Sequence, residues 1–168
     1  MTDDREKILA EVEKRAYDYE ATYGGCSQCV LAAIKEVVGL VDDNVFKAAT
    51  GLTGGIGLSG SACGALTGAV LALSMARGRT YDNFADPDRT RFESFKLARK
   101  LADRYREEFG SLICKDVQTK LMGRSFDLFD PDDYKAFLAA GGHDDKCTAV
   151  AGKTARMAVE LLMEEGLI

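Results

Sequence analysis

Five cysteines supply almost all of the soft nucleophilic chemistry that this chain carries. They stand beside a single histidine and no tryptophan. Thiolates attack disulfides and ligate soft metal ions, so thiol redox chemistry and metal ligation are the two activities that this composition favours. The candidate catalytic residues are Cys26, Cys29, Cys63, Cys114 and Cys147.

Four of these cysteines fall in the first turn of a predicted helix. Cys26 follows two glycines, and Cys63 follows a Ser-Gly-Ser segment. Cys147 follows two aspartates, and Cys114 follows a serine that is a candidate N-cap. Unpaired backbone N–H groups and the positive end of the helix dipole favour a thiolate over a thiol at such positions. We therefore expect these cysteines to be reactive or to be good metal ligands.

The CxxC spacing of Cys26 and Cys29 is compatible with several sites, and the context removes most of them. A thioredoxin motif needs a βαβ unit, which the chain lacks, and a c-type haem motif needs a histidine where Val30 stands. A zinc finger needs two close pairs of ligands, whereas only one pair is close here. An odd number of cysteines also disfavours structural disulfides. A reversible dithiol remains, and so does a four-thiolate metal site gathered from separate helices.

Two further segments are candidates for a role beside the cysteines. The sequence from Gly55 to Gly60 spells GxGxxG, but no strand precedes it, which disfavours dinucleotide binding. We expect this loop and the helix after it to bring backbone N–H groups to the Cys63 sulfur or to a bound anion. His143 lies four residues before Cys147 and is either a proton carrier or ligand or, as is commoner for a lone loop histidine, exposed to solvent.

Apolar residues at intervals of three and four predict helices along the whole chain. The first helix has the stripe Ile8, Val12, Ala16, Tyr19 and Tyr23, and it ends at Gly24-Gly25. The other helices are predicted over 26–38, 43–50, 62–77, from Asp88 or Thr90 to 109, 115–122, 131–140 and 145–165. The stripe of the long fifth helix is Phe95, Ala98, Leu101, Ala102, Tyr105 and Phe109.

No segment alternates as a strand would, so the predicted fold is all-α. We expect a compact bundle of about five principal helices plus two or three short ones, with a glycine-rich loop before the central helix. Gly64 and Gly68 in the central helix should let a neighbouring backbone approach closely. Residues 1–168 are expected to form a single domain.

Composition and charge exclude several classes of partner. The chain has 168 residues, a net charge of −5 and 46% hydrophobic residues, which is typical of a globular protein. Without a basic patch it is not expected to bind nucleic acid or an anionic membrane. No apolar stretch is long enough for a transmembrane segment, and the polar start lacks a secretory signal, so a cytoplasmic location is expected.

The residues Cys63-Gly64-Ala65-Leu66-Thr67-Gly68 match the CGAxxG signature of the C_GCAxxG_C_C family, which the chain resembles over most of its length. Gly25-Cys26-Ser27-Gln28 resembles the family's first cysteine segment, residues 53–57 its glycine-rich loop, and Cys114 and Cys147 its last two cysteines. Cys29 departs from the pattern, since the family mostly has a small residue there. The resemblance implies redox activity.

Together, the residues and the resemblance favour a cytoplasmic protein that performs thiol–disulfide exchange, with a redox partner protein or a small thiol or disulfide as its partner. The alternative is a binding module for a metal ion or an iron–sulfur cluster, ligated by Cys26, Cys63, Cys114 and Cys147. A third hypothesis is a helical interaction domain in which the cysteines only pack.

Overall fold

The protein is built of helices. The structure, a computed structural model, describes residues 2–168, and this range contains eight α-helices. They are α1 (Thr2–Tyr23), α2 (Cys26–Val38), α3 (Asp43–Ala48), α4 (Gly64–Arg77), α5 (Arg91–Phe109), α6 (Cys114–Met122), α7 (Pro131–Ala139) and α8 (Cys147–Glu164). Five are long and three are short, and no strand occurs in the described range, which confirms the predicted all-α class.

Several helices begin or end at the capping residues that the sequence predicts. Gly39 and Gly110 end α2 and α5 in left-handed conformations, with φ of 74° and 85°, and each donates its N–H to a carbonyl of the last turn. Asp130 caps α7 by accepting a hydrogen bond from the Asp133 backbone N–H at 2.8 Å, and Pro131 opens the helix. The boundaries predicted at these residues are therefore correct.

The central helix α4 packs against α2, α5 and α8, while α1 packs mainly against α8 and α2. A Cβ built on Gly68 would lie 2.4 Å from the Ser27 carbonyl oxygen, so only glycine permits this approach of α4 to α2. The predicted close backbone approach is thus confirmed. It brings the first turn of α2 and the first turn of α4 to the same end of the bundle.

The buried stripe of α1 differs from the predicted one. Its buried residues are Leu9, Val12, Ala16 and Glu20, whereas Ile8 is 36% exposed and Tyr23 is 78% exposed. A stripe spaced by three, four and four residues is as regular as the predicted one, but it leads to an acidic residue at its last position. The hydrophobic pattern of the sequence therefore did not predict the buried carboxyl group at the end of α1.

The stripe of α5 was also partly wrong. Leu97, Leu101, Tyr105 and Phe109 are buried, whereas Phe95 is 56% exposed. Phe95 instead packs its ring edge-on against another surface ring, that of Phe92, with the centroids 5.3 Å apart.

None of the helices within residues 2–168 combines the length and the apolar character that crossing a membrane requires.

Candidate redox site

Four cysteines from four parts of the chain line one cavity of about 230 Å³. Cys26, Cys114 and Cys147 are the first residues of α2, α6 and α8, and Cys63 directly precedes α4. The predicted helix-start positions of these four residues are correct. Four helix N-termini therefore converge on the same space, which the spacing of the cysteines in the sequence does not show.

Backbone pairing holds Cys63 and Cys114 side by side. The segment before α4 runs antiparallel to the segment before α6, with an isolated bridge between Ala62 and Ile113. The Cys63 N–H donates to the Leu112 carbonyl at 2.9 Å, and the Cys114 N–H donates to the Ser61 carbonyl at 2.6 Å. These two bonds fix the starts of α4 and α6 relative to each other.

Gly64 of the CGAxxG motif makes room for a sulfur atom. A Cβ at this position would lie 2.6 Å from Cys26 Sγ and 2.9 Å from the Leu52 carbonyl oxygen. The missing side chain therefore lets the Cys26 sulfur lie against the first turn of α4, one residue from Cys63. The motif thus places a glycine at each of two contacts with α2, one against Cys26 and one against Ser27.

The glycine-rich loop encloses Cys26. From Gly54 to Leu58 all five residues have positive φ, and two of them, Ile56 (67°) and Leu58 (62°), are not glycines. This left-handed turn is closed by hydrogen bonds such as Gly60 N–H to the Gly54 carbonyl at 2.9 Å. A hydrogen bond from the Gly54 backbone favours the Cys26 thiolate. Backbone N–H groups of the helix after the loop therefore serve Cys63 as expected, whereas the loop itself contacts Cys26.

Cys63 receives its hydrogen bonds from α4 and from a tyrosine. Burial raises the pKa of the Cys63 thiol, and the side chain of Tyr105 and the backbone N–H groups of Leu66 and Ala65 oppose this rise by favouring the thiolate. The Tyr105 hydroxyl is fully buried and has no conventional hydrogen-bond partner in the described part of the chain. It is thus placed to donate a hydrogen bond when Cys63 loses its proton.

Burial nevertheless keeps the four thiols of the cavity protonated. Loss of solvation is the largest influence on each of them, and it raises the pKa of Cys114 to about 12 and those of Cys26, Cys63 and Cys147 above their ordinary value. The expectation of thiolates at rest was therefore wrong. Helix N-termini do stabilise charge at these positions, but the loss of water outweighs them.

Cys29 lies apart from the other four cysteines. It is buried outside the lining of the cavity, and its thiol donates a hydrogen bond to the Gly24 carbonyl at 3.1 Å. Burial, together with the neighbouring carboxyl of Glu20, raises the pKa of Cys29. The two thiols of the CxxC sequence consequently face different surroundings, although the sequence places them on one face of α2.

A carboxyl group and an imidazole also line the cavity. Glu20 is only 3% exposed, and its Oε1 lies 3.5 Å from Nε2 of His143. Its Oε2 has no hydrogen-bond partner among residues 2–168. Burial raises the pKa of Glu20 to about 7 and lowers that of His143. The expectation that His143 is exposed was wrong, since its side chain is three-quarters buried.

A π-helical turn and two glycines position His143. The turn spans Gly142–Lys146 directly before α8, and such wide turns often occur at functional sites. A Cβ on Gly24 would lie 3.0 Å from the His143 ring, and one on Gly142 would overlap the ring of Phe137. These glycines let the imidazole pack between the end of α1 and α7.

A signal for Glu20 was present in the sequence, because Glu20 continues the stripe of Val12 and Ala16.

The described residues form no ready-made metal site. Among them, no three or more His, Cys, Asp or Glu side chains come together closely enough to hold a metal ion. The five cysteines are all free thiols in this structure.

Comparison with known proteins identifies the family. Searches of curated proteins and of solved structures gave no match. Residues 25–161 match the family described as "Putative redox-active protein (C_GCAxxG_C_C)", and this range includes all five cysteines and the glycine-rich loop, whereas Glu20 precedes it. With most of its length matched, the chain belongs to the C_GCAxxG_C_C family.

Proposed function

We propose that this protein reduces small disulfides by thiol–disulfide exchange, with Cys26 and Cys63 as the reacting pair. The observation that supports the proposal is the convergence of four thiols on one cavity. Cys26 is the more accessible of the two, since it is half-buried whereas Cys63 is buried. The position of Cys26 Sγ against Gly64, the residue that follows Cys63, supports this pairing.

The proposed reaction conserves atoms and electrons through two exchange steps. Cys26 loses its proton, attacks one sulfur of the substrate and displaces the other as a thiolate, which takes up a proton. Cys63 then loses its proton, attacks Cys26 in the mixed disulfide, and releases the second product as a thiol. The substrate disulfide is reduced to two thiols, and Cys26 and Cys63 are oxidised to a disulfide. An external dithiol regenerates the protein.

The surroundings of each sulfur suit these roles. The backbone N–H groups of α4 and the Tyr105 hydroxyl stabilise the charge that develops on Cys63 when it attacks the mixed disulfide. Cys114 and Cys147 line the same cavity and are the proposed acceptors of the disulfide in a further exchange. We also propose a cytoplasmic location, because reducing conditions there return such a protein to its dithiol form.

The test is to trap the mixed disulfide. Reduced protein is mixed with bis(2-hydroxyethyl) disulfide, quenched with acid, and analysed by intact-mass and peptide mass spectrometry. The expected product is a Cys26–Cys63 disulfide, and the Cys63→Ser variant should instead accumulate hydroxyethanethiol on Cys26. Cys29→Ser is the matched control and should react as the unaltered protein does. Mixed disulfides spread equally over all five cysteines, or none at all, would refute the proposal.

Metal analysis separates this proposal from the metal-binding alternative. In the structure no specific arrangement of ligands within residues 2–168 favours that alternative. Protein purified without oxygen is expected to contain substoichiometric iron and zinc and to form its disulfide reversibly. One equivalent of either metal, lost when Cys26, Cys63, Cys114 and Cys147 are replaced together, would favour the binding module instead.

A further inference from the structure

Few ionisable side chains other than the cysteines and tyrosines line the cavity that holds the four thiols. Among its lining residues Glu20 is the one acid and His143 the one histidine, and no lysine or arginine lines it. Most of the remaining wall is apolar or aromatic, with Val117, Phe137 and Val150 among its side chains. A negatively charged substrate would meet a carboxylate there and no compensating cation.

Glu20 lines this space and has an unused hydrogen-bond acceptor. Its Oε2 is buried and has no hydrogen-bond partner among residues 2–168, and a buried carboxylate oxygen without a partner is destabilised by its loss of solvation. His143, from the turn before α8, does not neutralise it, because burial lowers the pKa of the imidazole. Cys29 of α2 faces the same carboxyl as a neutral thiol. A donor group on a ligand is therefore what would satisfy Glu20.

The size of the cavity limits the ligand. A volume of about 230 Å³ equals the liquid volume of roughly eight water molecules. Pockets for drug-sized ligands start at about 300 Å³, so this cavity suits a small disulfide better than a peptide disulfide. A disulfide with two short arms matches the available space.

On the basis of the proposed function, we propose that the substrates are small aminoalkyl disulfides, whose ammonium group binds Glu20 while the disulfide lies against Cys26. The ammonium group donates hydrogen bonds to the unpartnered oxygen and is unchanged by the reaction. One such disulfide gives two aminoalkanethiols, and Cys26 and Cys63 become a disulfide. The electrons come from these two thiols, as in the scheme above.

Binding of the cation also assists the chemistry. The charge of Glu20 raises the pKa of Cys26, Cys63, Cys114 and Cys147. An ammonium group paired with Glu20 cancels this influence, so the thiolate forms more readily when the cationic substrate is bound. The same carboxylate repels an anionic disulfide. Selectivity and activation therefore arise from one residue.

The experiment compares three disulfides of similar size and different charge. These are bis(2-aminoethyl) disulfide, bis(2-hydroxyethyl) disulfide and dithiodiacetate, which are cationic, neutral and anionic at pH 8. Each rate of Cys26 modification is divided by the rate of a free small thiol with the same disulfide, which removes differences in intrinsic reactivity. The expected order is cationic, then neutral, then anionic, with steps on the order of tenfold. The preference should shrink at pH 6, where Glu20 is protonated.

Variants and a competitor locate the source of the preference. Glu20→Gln should bring the ratio of the cationic to the anionic rate to that of the free thiol. Asp144→Asn removes an equal charge from an exposed side chain outside the cavity lining and should keep the order. Propylammonium should slow the reaction of the unaltered protein, and propionate should not, so the test does not depend on the folding of a variant.

The outcomes separate this inference from the proposed function. Equal normalised rates for the three disulfides, or an order that persists in Glu20→Gln, would overturn the inference and leave disulfide reduction intact. Failure of every disulfide to react with the cavity cysteines would overturn both.

Discussion

Replacing Gly64 with alanine tests whether the CGAxxG motif positions the Cys26 sulfur. The added Cβ would lie 2.6 Å from Cys26 Sγ, 2.9 Å from the Leu52 oxygen and 3.1 Å from Thr53 Cα. An ordinary contact begins at 3.4 Å, so the sulfur must move by about 0.8 Å, and the backbone at Leu52 and Thr53 must move as well. Because two of the three neighbours belong to the backbone, a change of side-chain rotamer cannot relieve the contact.

The expected loss of stability follows from overpacking. An extra methyl group in a filled site costs about 1–3 kcal/mol. A loss of about 2 kcal/mol lowers the Tm of a domain of this size by roughly 4–8 °C. The displaced sulfur should also form its bond to Cys63 more slowly, because disulfide geometry tolerates little change in position. Circular dichroism of the reduced protein measures the Tm, and peptide mass spectrometry after acid quenching measures the rate of Cys26–Cys63 bond formation.

Gly51→Ala is the matched control. No heavy atom lies within 4 Å of a Cβ built on Gly51, and this residue, in the turn before the glycine-rich loop, does not have a positive φ. Its Tm and its disulfide rate should stay close to those of the unaltered protein. Equal stability and an equal rate for Gly64→Ala and Gly51→Ala would show that the space at Gly64 does not position Cys26.

Two further substitutions address buried polar groups that influence the cavity thiols, Glu20 in the cavity lining and Tyr105 beside Cys63. Glu20→Gln should flatten the pH dependence of stability. Burial raises the pKa of Glu20 to about 7, so the folded protein holds this proton more tightly than the unfolded chain does. The contribution of Glu20 to the free energy of unfolding therefore declines by about 3 kcal/mol as the pH rises from 4.5 to about 7. Urea unfolding at pH 4 and pH 8 measures the difference, and parallel curves for both proteins would contradict the burial argument. Tyr105→Phe should leave the Tm within about 1 °C or raise it, because a buried hydroxyl without a conventional partner is removed. It should also slow alkylation of Cys63 at every pH below 9, since the thiolate loses a donor, and an unchanged rate would refute the proposed hydrogen bond.

The sequence predicted most of the fold because helix ends depend on local chemistry. Helix caps act within one turn, so their positions can be predicted without knowledge of tertiary contacts. This holds for the left-handed glycines Gly39 and Gly110 and for the cap at Asp130. The helix-start positions of Cys26 and Cys147 follow from the same boundaries. That these cysteines lie in one cavity was only a hypothesis at the level of the sequence, because it depends on how the helices pack.

Burial within the bundle could not be read from the sequence in the same way. Two stripes on α1 fit the helical period, one through Ile8 and Tyr23 and one through Leu9 and Glu20, and hydrophobicity favours the first. Packing against α2 and α8 selects the second, because the ring of His143 from the turn before α8 reaches the end of α1 at Gly24. The carboxyl that most affects the cysteines was missed for this reason.

Solvation, and not the helix dipole, therefore sets the reactivity of the resting thiols. A helix N-terminus contributes about 0.3–1 kcal/mol in favour of a negative charge, which is less than one pKa unit. For Cys114 the pKa rises from 9.0 to about 12, so the thiolate fraction at neutral pH falls roughly a thousandfold. A thiolate of higher pKa is more nucleophilic, but a Brønsted slope of about 0.45 recovers only about twentyfold. Cys114 should thus react about fiftyfold more slowly than an ordinary thiol.

This balance predicts the pH profile of the cavity thiols. If their pKa values lie above the ordinary value, the logarithm of the alkylation rate rises with a slope near one through pH 9, whereas activated thiolates reach a plateau near pH 7. Reaction with a small neutral alkylating reagent, followed at Cys26 and Cys147 by peptide mass spectrometry, measures both profiles. A plateau below pH 8 would show that the N-termini of α2 and α8 outweigh the loss of water. In Glu20→Gln the same rise should shift to lower pH, and the size of the shift measures how much of the suppression comes from the carboxylate. Desolvation and the neighbouring cysteines still raise these pKa values in that variant, so the profile should keep its shape.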